Sequence, residues 1–162
     1  MLLRELGAVD REIAAYPDDE SVWQTPPGIS NSAGTLALHI AGNLRHFIGA
    51  VLGKSGYIRN RDAEFSTRGL SRDELRAELH AAIADLDRAM DRIGAEELLA
   101  SYPLLVAERR VRTADFLAHL AVHLGFHLGQ LDYHRRLLTT SREAANAVAI
   151  RELPAMASEE PT

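Results

Sequence analysis

The sequence predicts an all-α protein, a four-helix bundle, and three features carry that expectation. Apolar residues recur at i, i+3 or i+4, and i+7 in four segments, each roughly 15 to 26 residues long. Stretches rich in Pro, Gly, Ser and Asn separate those segments. No stretch alternates apolar and polar residues as a half-buried strand does, so antiparallel helices sharing one core are the natural solution.

The first helix is set by Leu2, Leu6, Val9 and Ile13, and Pro17 stops it. The connector "PDDESVWQTPPGISNSAG" follows, with Trp23 expected to tuck against the bundle. Asn31 or Ser32 can cap a second helix placed at 32–53, whose periodic positions are Leu36, His39, Ile40, Asn43, Leu44 and Phe47. Gly53 and Gly56 then release the chain into "YIRNRDAEFSTRG", read as an irregular connection.

"SRDE" at 71–74 is a capping box that opens a third helix. Leu75, Leu79, Ile83, Leu86, Met90 and Ile93 form its stripe, and Gly94 suits its end. Between 95 and 112 the periodicity weakens, and "YPLLVAERRV" reads as a short hairpin or an extended arm. Thr113 is the expected cap of a fourth helix running to Leu138. "REAANAVAIREL" predicts one more short helix, and Pro154 to Thr162 a frayed tail. The domain reading is thus a bundle over 1–140 and an extension over 141–162.

A chain of 162 residues is long enough for one well-packed core. Its 46% hydrophobic and 25% charged residues are those of a globular protein. There is no cysteine, so a protein thiol nucleophile and cysteine-bound zinc are excluded, and any metal falls to His, Asp or Glu. The net charge of -5 gives no general attraction to phosphate backbones, so no nucleic-acid partner is expected. Charges at Arg4, Glu5, Asp10 and Arg11 interrupt any signal-like apolar run, and no stretch suits a bilayer span. The expected location is the cytoplasm, with no membrane partner.

"HLAVHLGFHLGQLDYHRR", residues 119–136, holds four of the seven histidines. With His119 at zero, His123 lies at about 40°, His127 at about 80° and His134 at about 60°, one stripe bordering the leucine face. Several neutral imidazoles packed together leave many donors and acceptors to satisfy, and a shared metal ion does so economically. Residues four apart rise about 6 Å along a helix, so the chelating pair is His119 with His123 or His123 with His127. A third ligand has to come from another helix, and either His39 or His46 can supply it, since about 10.5 Å of rise separates them. His80 lies off the third stripe and reads as a surface residue. "HExxH", Glu-x-x-His, "GxSxG" and a phosphate-binding glycine loop are all missing, which leaves a mononuclear three-histidine site.

"NSAGTLALHIAGNLRHFIGAVLG" followed by "RDAEF", and then "HLAVHLGFHLGQLDYHRRLL", resemble the DinB/YfiT-like superfamily of metal-binding four-helix bundles, over roughly residues 2–138. The resemblance implies that His39, His123 and His127 hold one divalent metal ion, zinc or nickel. It further implies a thiol S-transferase using a low-molecular-weight cytosolic thiol, or a metal-dependent hydrolase. Three protein ligands leave a position open, where a metal lowers the pKa of a thiol or water.

Asn43 and Gln130 lie one turn from His39 and His127, and are candidates to orient ligands or substrate, or simply to bridge helices. His46 and Glu64 are candidate fourth ligands. Arg59, Arg61 and Glu64 read either as a grip for an anionic cosubstrate or as a solvated or intersubunit salt-bridge cluster. The expected partners are a small-molecule substrate and a low-molecular-weight thiol, with a homodimer as the candidate assembly. The competing reading is a non-catalytic stress or interaction bundle with a structural metal.

Overall fold

A computed structural model describes residues 1–142, 145 and 147–153. Among them the chain is all-α, with six α-helices and no strand. They are α1 (Leu2–Ala14), α2 (Ala33–Leu44), α3 (Arg61–Ser66), α4 (Arg72–Met90), α5 (Ala95–Leu99) and α6 (Thr113–Thr139). The helices α1 and α2 each pack against both α4 and α6. The inward stripes are mainly aliphatic: Leu6, Val9 and Ile13 meet Leu36, Ile40 and Leu44, Leu75, Leu79 and Leu86, and Leu120, Leu124, Leu128 and Leu131, with Phe116 heading the α6 stripe. Burying one such side chain is worth about 1.5–3 kcal/mol, so this shared core sets the relative placement of the helices.

The helix starts follow local chemistry. Ser32 caps α2 by accepting from Thr35 N, and Ser71 with Glu74 forms the full capping box at α4. Trp23 packs its ring over Gly34 and donates from Nε1 to the Leu70 carbonyl at 2.8 Å, which ties the first connector to α2 and to the segment before α4.

Several expectations are corrected. The second helix is not uniform to residue 53: it continues from α2 as a π-helix over Arg45–Ala50, with Val51 N bonded to His46 O and Gly53 N to Ile48 O. The connection after it contains α3, capped by Asn60 through Ala63 N. Gly94 does not end α4, which stops at Met90; its extended backbone instead precedes α5, and its N–H donates to Glu97. Thr113 is not the cap of α6 but its first residue, buried, with its hydroxyl donating to Ala100 O. Arg112 holds the cap position without a side-chain capping bond, its guanidinium lying 3.4 Å from Asp115.

Between α5 and α6 the chain forms a small hairpin, with antiparallel bridges at Ser101–Arg112 and Val106–Arg109. Ala107 and Glu108 turn it with positive φ. Of the short helix expected after 141, the described residues hold one 3-10 turn, Ile150–Glu152; residues 143, 144, 146 and the expected tail from Pro154 lie outside the described set. The segment before that turn is strapped to α1: Arg11 donates to Ala145 O, Arg4 to Ala149 O, and Val148 N to Glu5.

Candidate metal centre

The face of α2 that carries His39 meets the face of α6 that carries His123 and His127. His39 is buried by the core around it, and the other two are half-buried. Nε2 of His123 lies 3.4 Å from Nε2 of His39 and 3.1 Å from Nε2 of His127. Among the described residues these three form the group of His, Asp and Glu positioned to bind a metal ion, with all ligand atoms within 4.8 Å of one another.

The outer ring nitrogens explain why the inner ones converge. His39 Nδ1 donates to Glu64 Oε2 at 3.0 Å, and His127 Nδ1 donates to Gln130 Oε1 at 2.7 Å. A carboxylate accepts only, so the His39 proton sits on Nδ1 and its Nε2 presents a lone pair. The same holds for His127. Both lone pairs face Nε2 of His123, which has at most one proton to share between them.

That proton can satisfy one contact only, and the other sets lone pair against lone pair unless a cation lies between them. An ion about 2.0–2.1 Å from each nitrogen, with tetrahedral angles, needs nitrogens about 3.3–3.4 Å apart, close to the two contacts observed. The donor set therefore fits a divalent ion of the imidazole-preferring kind. Burial, reinforced by the neighbouring His127 and His39, pushes His123 down to about 4, and burial likewise lowers His127. Both are neutral, the ligating form, at ordinary pH.

Glu64 is the centre of the outer support. It is buried, and Arg59 grips it with two bonds, Nε to Oε1 at 2.6 Å and Nη2 to Oε2 at 2.8 Å. Burial pushes its pKa up, but the bonds from Arg59 and His39 outweigh that and hold it below the ordinary carboxylate value. Gly42 makes the approach possible: a Cβ there would stand 2.8 Å from Glu64 Cδ, so any side chain would displace the carboxylate from α2. Phe65 packs on the His39 ring at 4.9 Å between centroids.

The remaining candidates separate clearly. His46 meets the Phe47 ring edge-on and does not join the group, and burial together with Arg59 lowers its pKa. His119 is exposed, contrary to a stripe facing partner helices throughout, and lies 6.3 Å from His123 between ring centroids. His134 is buried elsewhere, accepting from the Tyr16 hydroxyl at 2.6 Å and donating to Gln24 O at 3.0 Å. His80 is exposed as expected, beside Asp10. Asn43 is buried with its Oδ1 lacking a protein partner, and makes no bond to a clustered histidine. Arg61 is exposed over the Phe65 ring, so the loop cluster is Arg59 with Glu64, a pair sheltered behind His39 and not a solvated one.

Sequence reasoning missed the spacing role of Gly42, although "HIAGN" carries it, and missed the Tyr16–His134 bond, which no spacing reveals. A cavity of about 450 Å³ opens beyond Gln130, walled by Ile29, Leu36, Tyr133 and Leu137, with the buried His134 at its side. Gln130 is the residue it shares with the histidine cluster.

Fold and site together define an all-helical protein with a three-histidine centre. The chain belongs to the family described as "Protein of unknown function (DUF1572)", whose model matches residues 3–150. No curated protein and no solved structure gives a match. Among the described residues, no helix is long and apolar enough to cross a membrane.

Proposed function

We propose that this chain is a DinB/YfiT-like four-helix bundle and a cytoplasmic metal-dependent enzyme, with His39, His123 and His127 holding one divalent ion, zinc or nickel. The observation that carries the reading is the convergence of three Nε2 atoms, two of which bear their protons on the far nitrogen. When bound, such an ion supplies a lowered pKa to a small thiol or a water, and hence a nucleophile at neutral pH.

The chain's own residues do the positioning. Glu64 fixes the tautomer and the orientation of the His39 ring, while Arg59 keeps Glu64 ionised. Gln130 does for His127 what Glu64 does for His39, and its side chain also borders the cavity. The cavity wall is mainly apolar, and His134 is engaged on both nitrogens, so the co-substrate that suits it is a neutral electrophile. A cysteine-free chain has to take its thiol from solution.

The structural-metal reading calls for a fourth protein ligand. Glu64 is committed to His39 and Arg59, and His46 stands outside the group, which favours the open site. The test is metal-dependent loss of thiol when the zinc- or nickel-loaded protein meets a haloaromatic or an epoxide. The expected result is turnover above the metal-free protein with one of a panel of cytosolic thiols. No rate with any thiol, and no hydrolysis, would hand the site to the structural reading.

A further inference from the structure

The outward face of α6 is unlike a solvated helix surface. From Phe116 to Leu131 the helix carries no Asp, Glu, Lys or Arg. Val122, Phe126, Tyr133 and Leu137 lie along that face and are 63 to 79% exposed. Two glycines, Gly125 and Gly129, sit among them in mid-helix. A glycine there costs about 1 kcal/mol relative to alanine. At Gly34, Gly42 and Gly49 a Cβ would run into a side chain of the same chain, and at Gly7 in α1 it would touch the end of Arg11. At Gly125 and Gly129 a Cβ would meet nothing within 4 Å, so no packing among the described residues requires them.

We propose that this face is a docking surface for a second copy of the same chain, the two α6 helices crossing antiparallel about a two-fold axis between Gly125 and Phe126. The register follows from the sequence. About that point Phe126 lies opposite the other copy's Gly125, Val122 opposite its Gly129, and Tyr133 opposite its Ala118. Each bulky residue meets a small one, and glycine lets the two backbones approach closely.

The charges at the ends are complementary in the same register. Asp115 and Arg136 are equidistant from the axis, about 31 Å apart along the helix at 1.5 Å per residue. By helical periodicity both fall on the outward face; Asp115 lies 3.4 Å from Arg112 and Arg136 2.8 Å from Asp132 within one copy, and in the dimer each copy's Asp115 also meets the other's Arg136. An isologous contact of this kind satisfies both ends at once. A parallel pairing would set like charges together. Because Tyr133 and Leu137 also wall the cavity beyond Gln130, the second copy borders that cavity.

Sedimentation velocity on the full chain, over a range of concentrations, tests this directly. The wild type is expected to dimerise, and Gly129→Leu to raise the dissociation constant by at least about tenfold, or 1.4 kcal/mol. The same variant should keep its helical signal and melt no lower than the wild-type monomer, since its side chain enters open space. Asp115→Arg and Arg136→Asp should each weaken association, and the double exchange should restore it. A wild type that stays monomeric overturns the proposal, whether or not it binds phosphatidylglycerol vesicles; binding would assign the face to a lipid surface. A dimer unaffected by Gly129→Leu, or charge variants that the double exchange does not rescue, overturns it equally.

Discussion

Glu64 Oε2 accepts the Nδ1 proton of His39 at 3.0 Å, across 25 residues of sequence. That bond joins α3 to α2 and turns the opposite nitrogen of His39 toward α6. Outer bonds of this kind typically govern metal affinity by about 10–100-fold. Glu64→Ala should therefore weaken zinc binding by about one to two orders of magnitude while leaving about one ion per chain. Gly42→Ala should reproduce part of that loss without touching any ligand, because its Cβ takes the carboxylate's place. Zinc titration of the three proteins checks both, and an unchanged affinity in Gly42→Ala would separate Glu64 from the site.

The histidines divide by role. Replacing His39, His123 or His127 with Ala should lower metal affinity by at least about tenfold. The same change at His46, His119 or His134 should leave the stoichiometry intact. His119 is the sharpest control, because spacing alone makes it as good a partner for His123 as His127 is. Calorimetric titration decides between them: binding kept without His127 and lost without His119 would move the site one turn toward the start of α6.

How far the sequence reaches is visible in these same residues. Capping chemistry placed the starts of α2 and α4, because Ser32 and Ser71 act on backbone within three residues. Helical spacing put His123 and His127 on one face but left His119 open, since periodicity says nothing about the neighbouring helix. The family resemblance made the choice that geometry later matched with three close nitrogens. Glu64 was legible as a candidate but not its orientation, which depends on α3, a six-residue helix too short to show a period. The π-helical turn after α2 leaves no mark in the local pattern, whereas the hairpin before α6 is one of the two forms that the weak periodicity of 95–112 allows.

Burial lowers the pKa of His134 from its ordinary 6.5, against the opposing effect of its bond to Gln24 O. The unfolded chain then binds a proton before the folded one does. Stability from this residue is full above about pH 6.5 and falls as pH drops from there toward the lower folded pKa. In metal-free protein, the stability difference between wild type and His134→Gln should shrink between about pH 7.5 and about pH 5. Urea unfolding across that range measures it, and a difference independent of pH would contradict the assignment of His134 as neutral in the fold.

Arg135 and Glu12 form an ion pair that is about 1% exposed on both sides and joins α6 to α1. Burial raises the Glu12 pKa, and Arg135 works against that rise. Arg135→Met strands a carboxylate in the core and should cost about 3–5 kcal/mol. Glu12→Leu combined with Arg135→Met should recover most of that loss, because two apolar residues remove the desolvation cost. If the double variant is as unstable as the single one, the pair contributes packing or other bonds that charge balance does not describe.

The open three-histidine centre is tested most directly by X-ray absorption at the zinc edge on the zinc-loaded protein. The account predicts one ion per chain with three imidazole nitrogens at about 2.0–2.1 Å and a fourth position filled by no protein group. It predicts that one imidazole disappears from the shell in His127→Ala and that none does in His119→Ala. Four protein ligands in the wild type, or a shell unchanged in His127→Ala, would contradict it.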